Sequence, residues 1–106
     1  MDERTKLNFL YDFYGLLLTD RQRELFQYHY HYDLSLGEIA ENFCISRQAV
    51  HDLLRRTIAQ FSRFESRLQL MEKHFQRQKL LSQLDAALTA GDLAEARAVA
   101  QKLNNI

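Results

Sequence analysis

The fold of this chain is decided by the segment SLGEIAENFCISRQAVHDLLRR, residues 35–56. Ser35 and Glu38 match a capping box, in which each side chain accepts a hydrogen bond from the other residue's backbone amide at the start of a helix. The apolar residues up to Phe43 provide only about two helical turns. Ser46 is a favourable N-cap for the next helix, because its hydroxyl can accept a hydrogen bond from an amide of the first turn. The segment therefore predicts two helices separated by a turn of about three residues.

These two helices also have the composition of a helix-turn-helix, which needs a small residue where the helices touch and apolar residues in the wedge between them. Ala40 is the small residue. The residues predicted to fill the wedge are apolar and come from both helices: Ile39, Phe43, Ile45, Val50 and Leu53. Cys44 lies in the turn, where glycine is usual, and a side chain in the left-handed conformation costs about 1 kcal/mol or more. We predict a helix-turn-helix over residues 35–56, a unit that binds DNA in some proteins and is purely structural in others.

Two further helices are predicted ahead of this unit. Apolar residues at helical spacing place one face of a helix from about residue 6 to residue 18 in the core: Leu7, Leu10, Tyr14, Leu17 and Leu18. Thr19 and Gln22 form a second capping box, so the next helix begins at Asp20 and runs to about Tyr32. Because every segment is predicted to be helical, we expect an all-α fold.

Beyond Thr57 the apolar residues alternate spacings of three and four, which is typical of a long helix that packs along another helix. The residues concerned are Phe61, Phe64, Leu68, Met71 and Phe75. Exposed together they would form a patch larger than soluble monomers usually tolerate. We therefore predict that they are a dimer or partner interface, and the alternative is a core position under the helices of residues 6–32. Leucines at positions 81, 84 and 88 are out of phase with this set, which predicts a kink or break near residues 76–79.

The C-terminal segment is predicted to be a helical hairpin. After a turn at residues 89–92, Asp92 begins a capping box that opens a last helix to about Leu103. We expect one domain over residues 1–106. Within it, residues 6–57 form the helical bundle with the helix-turn-helix, and residues 58–106 form the long helix and the hairpin.

Composition and charge narrow the classes of function. The net charge is zero, but residues 46–79 contain eight Lys or Arg and only three Asp or Glu, which is typical of a binding face or of a solvated helix face. The chain has no run of apolar residues long enough to span a membrane and no signal-peptide pattern, and it has one cysteine, so we expect a cytoplasmic protein without membrane insertion. No metal-ligand spacing, phosphate-binding loop or catalytic set is present, so we expect no enzyme activity, no metal and no cofactor.

Three segments carry a family resemblance: LTDRQR at 18–23, SLGEIA at 35–40 and ISRQAV at 45–50. They are similar to region 4 of bacterial sigma factors. From about residue 6 to residue 88 the chain resembles the YlxM family of small bacterial helix-turn-helix proteins, whereas residues 89–106 look peculiar to this chain. The family's genes lie beside those of the signal recognition particle protein and its receptor. The resemblance therefore implies a regulatory role in protein targeting, with signal recognition particle components as partners.

The second helix of the unit supplies the candidate nucleic-acid-binding residues, which are Ser46, Arg47, Gln48, His51, Asp52, Arg55 and Arg56. Arginine can pair with guanine and glutamine with adenine in the major groove, so Arg47 and Gln48 are the predicted base-reading residues. Arg55 and Arg56 are assigned to phosphates. Asp52 would repel phosphate unless it pairs with Arg56 four residues on.

Two classes of function remain open at this point. The first is a regulator that binds DNA, or alternatively RNA, through residues 46–56. The second is a protein-interaction adaptor in which the helix-turn-helix is only a scaffold and the apolar residues from Phe61 to Phe75 bind the partner. The basic segment favours the first class, whereas the zero net charge, Cys44 in the turn and Asp52 on the candidate recognition face favour the second.

Overall fold

The computed structural model describes residues 1–106 and contains six α-helices. They are α1 Glu3–Tyr14, α2 Asp20–Phe26, α3 Leu36–Phe43, α4 Arg47–Leu68, α5 Leu70–Thr89 and α6 Leu93–Asn104. The all-α class and the helix-turn-helix, formed by α3 and α4, are confirmed. The chain divides into two compact units, Met1–Leu68 and Gln69–Ile106.

Helix α1 begins earlier than the apolar pattern indicates, because the Asp2 side chain caps it by accepting a hydrogen bond from the Thr5 amide. It ends at Tyr14 and continues as a tighter 3₁₀ turn over Gly15–Leu17. The tighter turn rotates the following side chains, so Leu17 is 57% exposed and the prediction of a buried Leu17 is wrong. The other four predicted core residues of this segment are buried.

Helix α2 begins with the predicted capping box, in which Thr19 and Gln22 exchange both hydrogen bonds. A π-helical turn, Gln27–His31, extends it almost to the predicted end. Phe26 on α2 is fully buried and stacks on Tyr11 of α1 with 4.9 Å between the ring centroids. The aromatic pair joins the first two helices.

Helix α4 lies against α1, α2 and α3 and provides much of the core of the first unit. Its buried residues follow a helical spacing of four, three and four: Val50, Leu54, Thr57 and Phe61. Thr57 is accommodated because its hydroxyl donates to the Leu53 carbonyl, 2.9 Å away. The sequence predicted Leu53 in this core, but Leu54 is the buried residue and Leu53 is half-buried.

The boundary between the units is at Gln69, whose left-handed backbone (φ 54°, ψ 33°) separates α4 from α5. Helix α5 runs without interruption through residues 76–79, so the helix does not break there, and a kink stays a prediction. Leu81 and Leu88 are 51% and 55% exposed, so the phase of these leucines does not mark the buried side of α5, where Ala87 lies. The first compact unit ends at Leu68, and the single domain over residues 1–106 stays a prediction.

The second unit is the predicted helical hairpin of α5 and α6. Gly91 in the turn has a positive φ of 72°, which a residue without Cβ adopts freely. Asp92 caps α6 by accepting from the Glu95 amide at 3.1 Å. The buried apolar residues of this unit are small: Ala87, Ala96 and Val99. None of the six helices is both long and apolar enough to cross a membrane.

The predicted interface residues are divided between the two units, because α4 ends at Leu68 and Met71 belongs to α5. Phe61 is fully buried in the first unit and makes an edge-to-face contact with Phe26, with the ring centroids 5.5 Å apart. It is therefore unavailable to a second chain while this unit is folded. Phe64 is half-buried beside Tyr14, Leu68 is 45% exposed, and Phe75 lies on α5.

Candidate nucleic-acid interface

The turn of the helix-turn-helix is fixed by backbone hydrogen bonds at the end of α3. Cys44 is left-handed (φ 54°, ψ 41°), as the sequence predicted. Its amide donates to the Glu41 carbonyl at 3.3 Å, and the Ile45 amide donates to the Ala40 carbonyl at 3.1 Å. This pair of bonds is a Schellman motif, usually completed by glycine. The hydrogen bonds stabilise the turn even though Cys44 has a side chain.

Both helices of the unit are capped as predicted. Ser35 and Glu38 form a complete capping box at the start of α3. The Ser35 backbone amide, followed by its hydroxyl, lowers the pKa of the Glu38 carboxyl, so the cap is retained above the ordinary glutamate pKa and lost as the pH falls through the lowered value. Ser46 caps α4 by accepting from the Ala49 amide at 3.0 Å. The Ser46 hydroxyl is therefore engaged in positioning α4.

The first turns of α4 present polar side chains to solvent. Arg47, Gln48 and His51 are exposed and, with Leu36 of α3, line one open cavity of about 490 Å³. Arg55 is also exposed. The structure thus brings three of the predicted nucleic-acid-binding residues together where a recognition helix would face a base pair.

Asp52 contacts Gln48 and His51 through its carboxylate. Its carboxylate accepts a hydrogen bond from Gln48 Nε2 at 2.9 Å, and His51 Nδ1 lies 3.6 Å from the same oxygen. The Arg56 Nε instead donates to the Asp52 backbone carbonyl, at 3.4 Å. Asp52 makes no ion pair with Arg56, so the pairing that would make Asp52 compatible with a phosphate contact is not formed. Asp52 instead fixes the amide of a base-reading candidate.

Arg56 lies apart from that cavity, in a groove between the start of α2 and the middle of α4. We call this the α2–α4 groove; its lining residues are Thr19, Arg21, Gln22, Leu53, Arg56, Gln60 and Arg63. Sequence reasoning missed Arg21, Gln22, Gln60 and Arg63, because only the packing of α2 on α4 brings them together. The helical spacing of Arg56, Gln60 and Arg63 was a signal in the sequence that could have shown that these three residues lie on one side of α4. Nowhere in the chain do three or more His, Cys, Asp or Glu side chains lie where they could share a metal ion.

Comparison with known proteins shows that almost the whole chain matches one protein family. A family described as "Putative helix-turn-helix protein, YlxM / p13 like" matches residues 1–102. A UPF0122 protein of Shouchella clausii is 45% identical over 96 residues, which is 91% of this chain and 88% of the relative. UPF0122 proteins of Bacillus mycoides (45% identical; 84% of this chain and 81% of the relative) and Bacillus thuringiensis (46%; 79% and 76%) are also similar. The family match includes most of α6, so the expectation that residues 89–106 all lie outside the family is wrong.

Proposed function

Because the chain belongs to the UPF0122 family of YlxM/p13-like helix-turn-helix proteins, we propose that it binds nucleic acid through the N-terminal half of α4. The observation that carries this proposal is the exposed cluster of Arg47, Gln48 and His51 on α4, a helix that is held in place by a separate row of buried residues. The capped, hydrogen-bonded turn before it holds α4 in a fixed position relative to α3. The family description names a structural unit and no reaction.

In this proposal several side chains of the N-terminal half of α4 have separate roles. Arg47 contacts guanine through its two parallel donors, and Gln48 contacts adenine. Asp52 holds the Gln48 amide and must release its hydrogen bond for a two-point contact with a base. Arg55 and Arg56 contact phosphates and set the position of the helix on the duplex.

Replacing Arg47 with alanine is expected to cost about 1–3 kcal/mol in binding to the preferred sequence, and little on other sequences. Arg56→Ala is expected to weaken binding to all sequences alike and to lower the slope of log affinity against log salt by about one unit. An electrophoretic mobility titration against genomic fragments at several salt concentrations measures both effects. Arg97→Ala, which removes an exposed charge from α6, is the control. Identical behaviour of wild type and Arg47→Ala on every fragment would remove the base-reading assignment.

The ligand of the proposed regulator is DNA, with RNA as the alternative. The resemblance to the YlxM family favours the RNA of the signal recognition particle as the RNA to test. The same titration therefore includes that RNA beside the genomic fragments. Tighter binding to the RNA supports a role in protein targeting, whereas tighter binding to one DNA fragment supports transcriptional regulation.

A second candidate function, a protein-interaction adaptor, is favoured by the exposed leucines of the second unit. Leu81, Leu88 and Leu93 are 51%, 55% and 73% exposed, and Leu81 and Leu88, seven residues apart, lie on one side of α5, where they can take part in an apolar binding surface. In this alternative the helix-turn-helix is only a scaffold. Wild-type protein that binds no DNA or RNA at low salt would favour the adaptor.

We also propose a homodimer that uses the end of α4, where Leu68 is exposed beside the half-buried Phe64. Light scattering at micromolar concentration is expected to give twice the chain mass of 12.6 kDa. Leu68→Glu is expected to return the mass to that of one chain, because dimerisation would bury an unpaired carboxylate. Leu16→Glu, at a site 89% exposed, is the control that leaves the mass unchanged. A wild-type monomer under these conditions contradicts the dimer.

A further inference from the structure

The α2–α4 groove concentrates positive charge. It forms an open cavity of about 430 Å³, and a neighbouring cavity of about 320 Å³ is lined by Gln60, Arg63, Phe64 and Arg67. Together the two linings contain four arginines and no aspartate or glutamate, in a chain whose net charge is zero. This separation of charge indicates an anionic ligand.

The four arginines of this surface, Arg21, Arg56, Arg63 and Arg67, are exposed, and none makes an ion pair within the chain. The arginines that are paired, Arg4 with Asp33 and Arg23 with Asp20, lie outside the groove lining. Like charges gathered without counterions repel one another, and a bound anion relieves that repulsion. The groove therefore offers an anionic ligand four arginines that have no ion-pair partner in the chain.

The walls of the groove are held in place before any ligand arrives. The Arg21 guanidinium carbon lies 4.9 Å above the centre of the Phe43 ring, a cation–π contact between α2 and α3. Gln22 Nε2 donates to Gln60 Oε1 at 3.0 Å and links α2 to α4 across the groove. A preorganised site loses less side-chain entropy when it binds.

The arginines of α4 form a line. Arg56, Arg63 and Arg67 are separated by seven and four residues, so they lie on one side of the helix, about 10 Å and about 6 Å apart along its axis. A strand of B-form DNA carries one phosphate for about every 3.4 Å of its axis. One small anion cannot contact all three arginines, whereas a run of phosphates can. The geometry therefore favours an extended polyanion.

We propose that the α2–α4 groove, continued by Arg67, binds the phosphate backbone of a nucleic-acid strand. This inference rests on the proposed function only in taking nucleic acid as the ligand. It adds a second site, since Arg63 lies 16 residues, or about 24 Å along α4, from the base-reading candidate Arg47. Contacts here are independent of sequence and increase the affinity for every nucleic acid of suitable length.

The test uses the full chain with Arg21 and Arg63 both changed to glutamine, which removes two charges from the groove. The slope of log affinity against log salt is expected to fall by about 1.8 units on two duplexes of unrelated sequence, since each phosphate contact contributes about 0.9. The preference between the two duplexes is expected to stay unchanged. The control pair Arg77→Gln and Arg97→Gln removes the same charge from exposed positions on α5 and α6 and is expected to leave the slope within about 0.5 units of wild type.

A second variant distinguishes the effect of the positive charge from the effect of the arginine side-chain shape. Arg21→Lys with Arg63→Lys retains both charges, so its salt slope is expected to match wild type to within about 0.5 units. If the glutamine variant has the same salt slope as wild type, the groove does not bind phosphates and the proposal is overturned. An acidic protein segment would then be the better candidate ligand of the groove. The two sites can fail separately. If only the base-reading assignment is wrong, Arg47→Ala binds every fragment like wild type, whereas the Arg21→Gln and Arg63→Gln variant still lowers the salt slope. Wild-type protein that binds no nucleic acid overturns both the groove and the proposed function.

Discussion

Replacing Phe61 with alanine is expected to lower the free energy of unfolding by about 3–5 kcal/mol. The side chain has no exposed surface and packs edge-to-face on Phe26, which is also fully buried and stacks on Tyr11. Truncation would remove a contact that joins α4 to α2 and leave a cavity between helices that cannot close completely. A loss of this size is a large part of the stability of a small domain.

Urea denaturation at two protein concentrations measures this change and tests the position of Phe61 in the core. If Phe61 is a core residue, its replacement lowers the free energy of unfolding by the same amount at both protein concentrations. If Phe61 is an interface residue, the decrease depends on the protein concentration. Leu16→Ala, at a position 89% exposed, is expected to change stability by less than about 0.5 kcal/mol. A loss below about 1 kcal/mol for Phe61→Ala would contradict the packing described above.

The parts of the fold that the sequence predicts well are those formed by residues close together in the chain. The capping boxes of Thr19 with Gln22 and of Ser35 with Glu38 join residues three apart, and both are present. The Cys44 turn is determined by its neighbours in the same way, through bonds to Ala40 and Glu41. Local hydrogen bonds of this kind depend little on what packs against the segment.

The predictions from sequence fail where the packing of segments distant in the chain determines which residue is buried or where a helix ends. Leu53 and Leu54 are adjacent leucines separated by 100° around α4, and the position of α1 to α3 determines which one is buried. Gln69 takes a left-handed backbone although neither glycine nor proline is near it, so no local signal marks the end of α4. The apolar spacing from Phe61 to Phe75 continues across that interruption and conceals it.

In the candidate site, too, the features set by nearby residues were predictable and those set by packing were not. Its exposed face was predictable because a capped helix with buried residues at regular spacing fixes which side faces solvent. The partner of Asp52 was not predictable, because Gln48 and Arg56 are both four residues away and sequence spacing cannot choose between them. The α2–α4 groove was missed because Arg21 and Arg63 are far apart in sequence.

A peptide of residues 69–106 is expected to be largely unfolded in isolation. The buried apolar residues of this unit are only Ala87, Ala96 and Val99, whereas those of residues 1–68 include several large side chains such as Phe26 and Phe61. Chains below about 40 residues rarely fold without a disulfide, a metal or a partner, and isolated helices as short as α6, with 12 residues, are marginal in water. So few buried methyl groups cannot offset the conformational entropy of the hairpin.

Circular dichroism at 222 nm tests this expectation, with a peptide of residues 1–68 as the matched comparison. The 69–106 peptide is expected to show less than about a third of full helicity and no cooperative thermal transition. The 1–68 peptide contains the larger core and is expected to melt cooperatively. Cooperative melting of the 69–106 peptide, independent of its concentration, would contradict the argument, because a stable monomeric hairpin would need more apolar burial than these three residues provide. Melting that depends on concentration would instead show that self-association covers its exposed leucines.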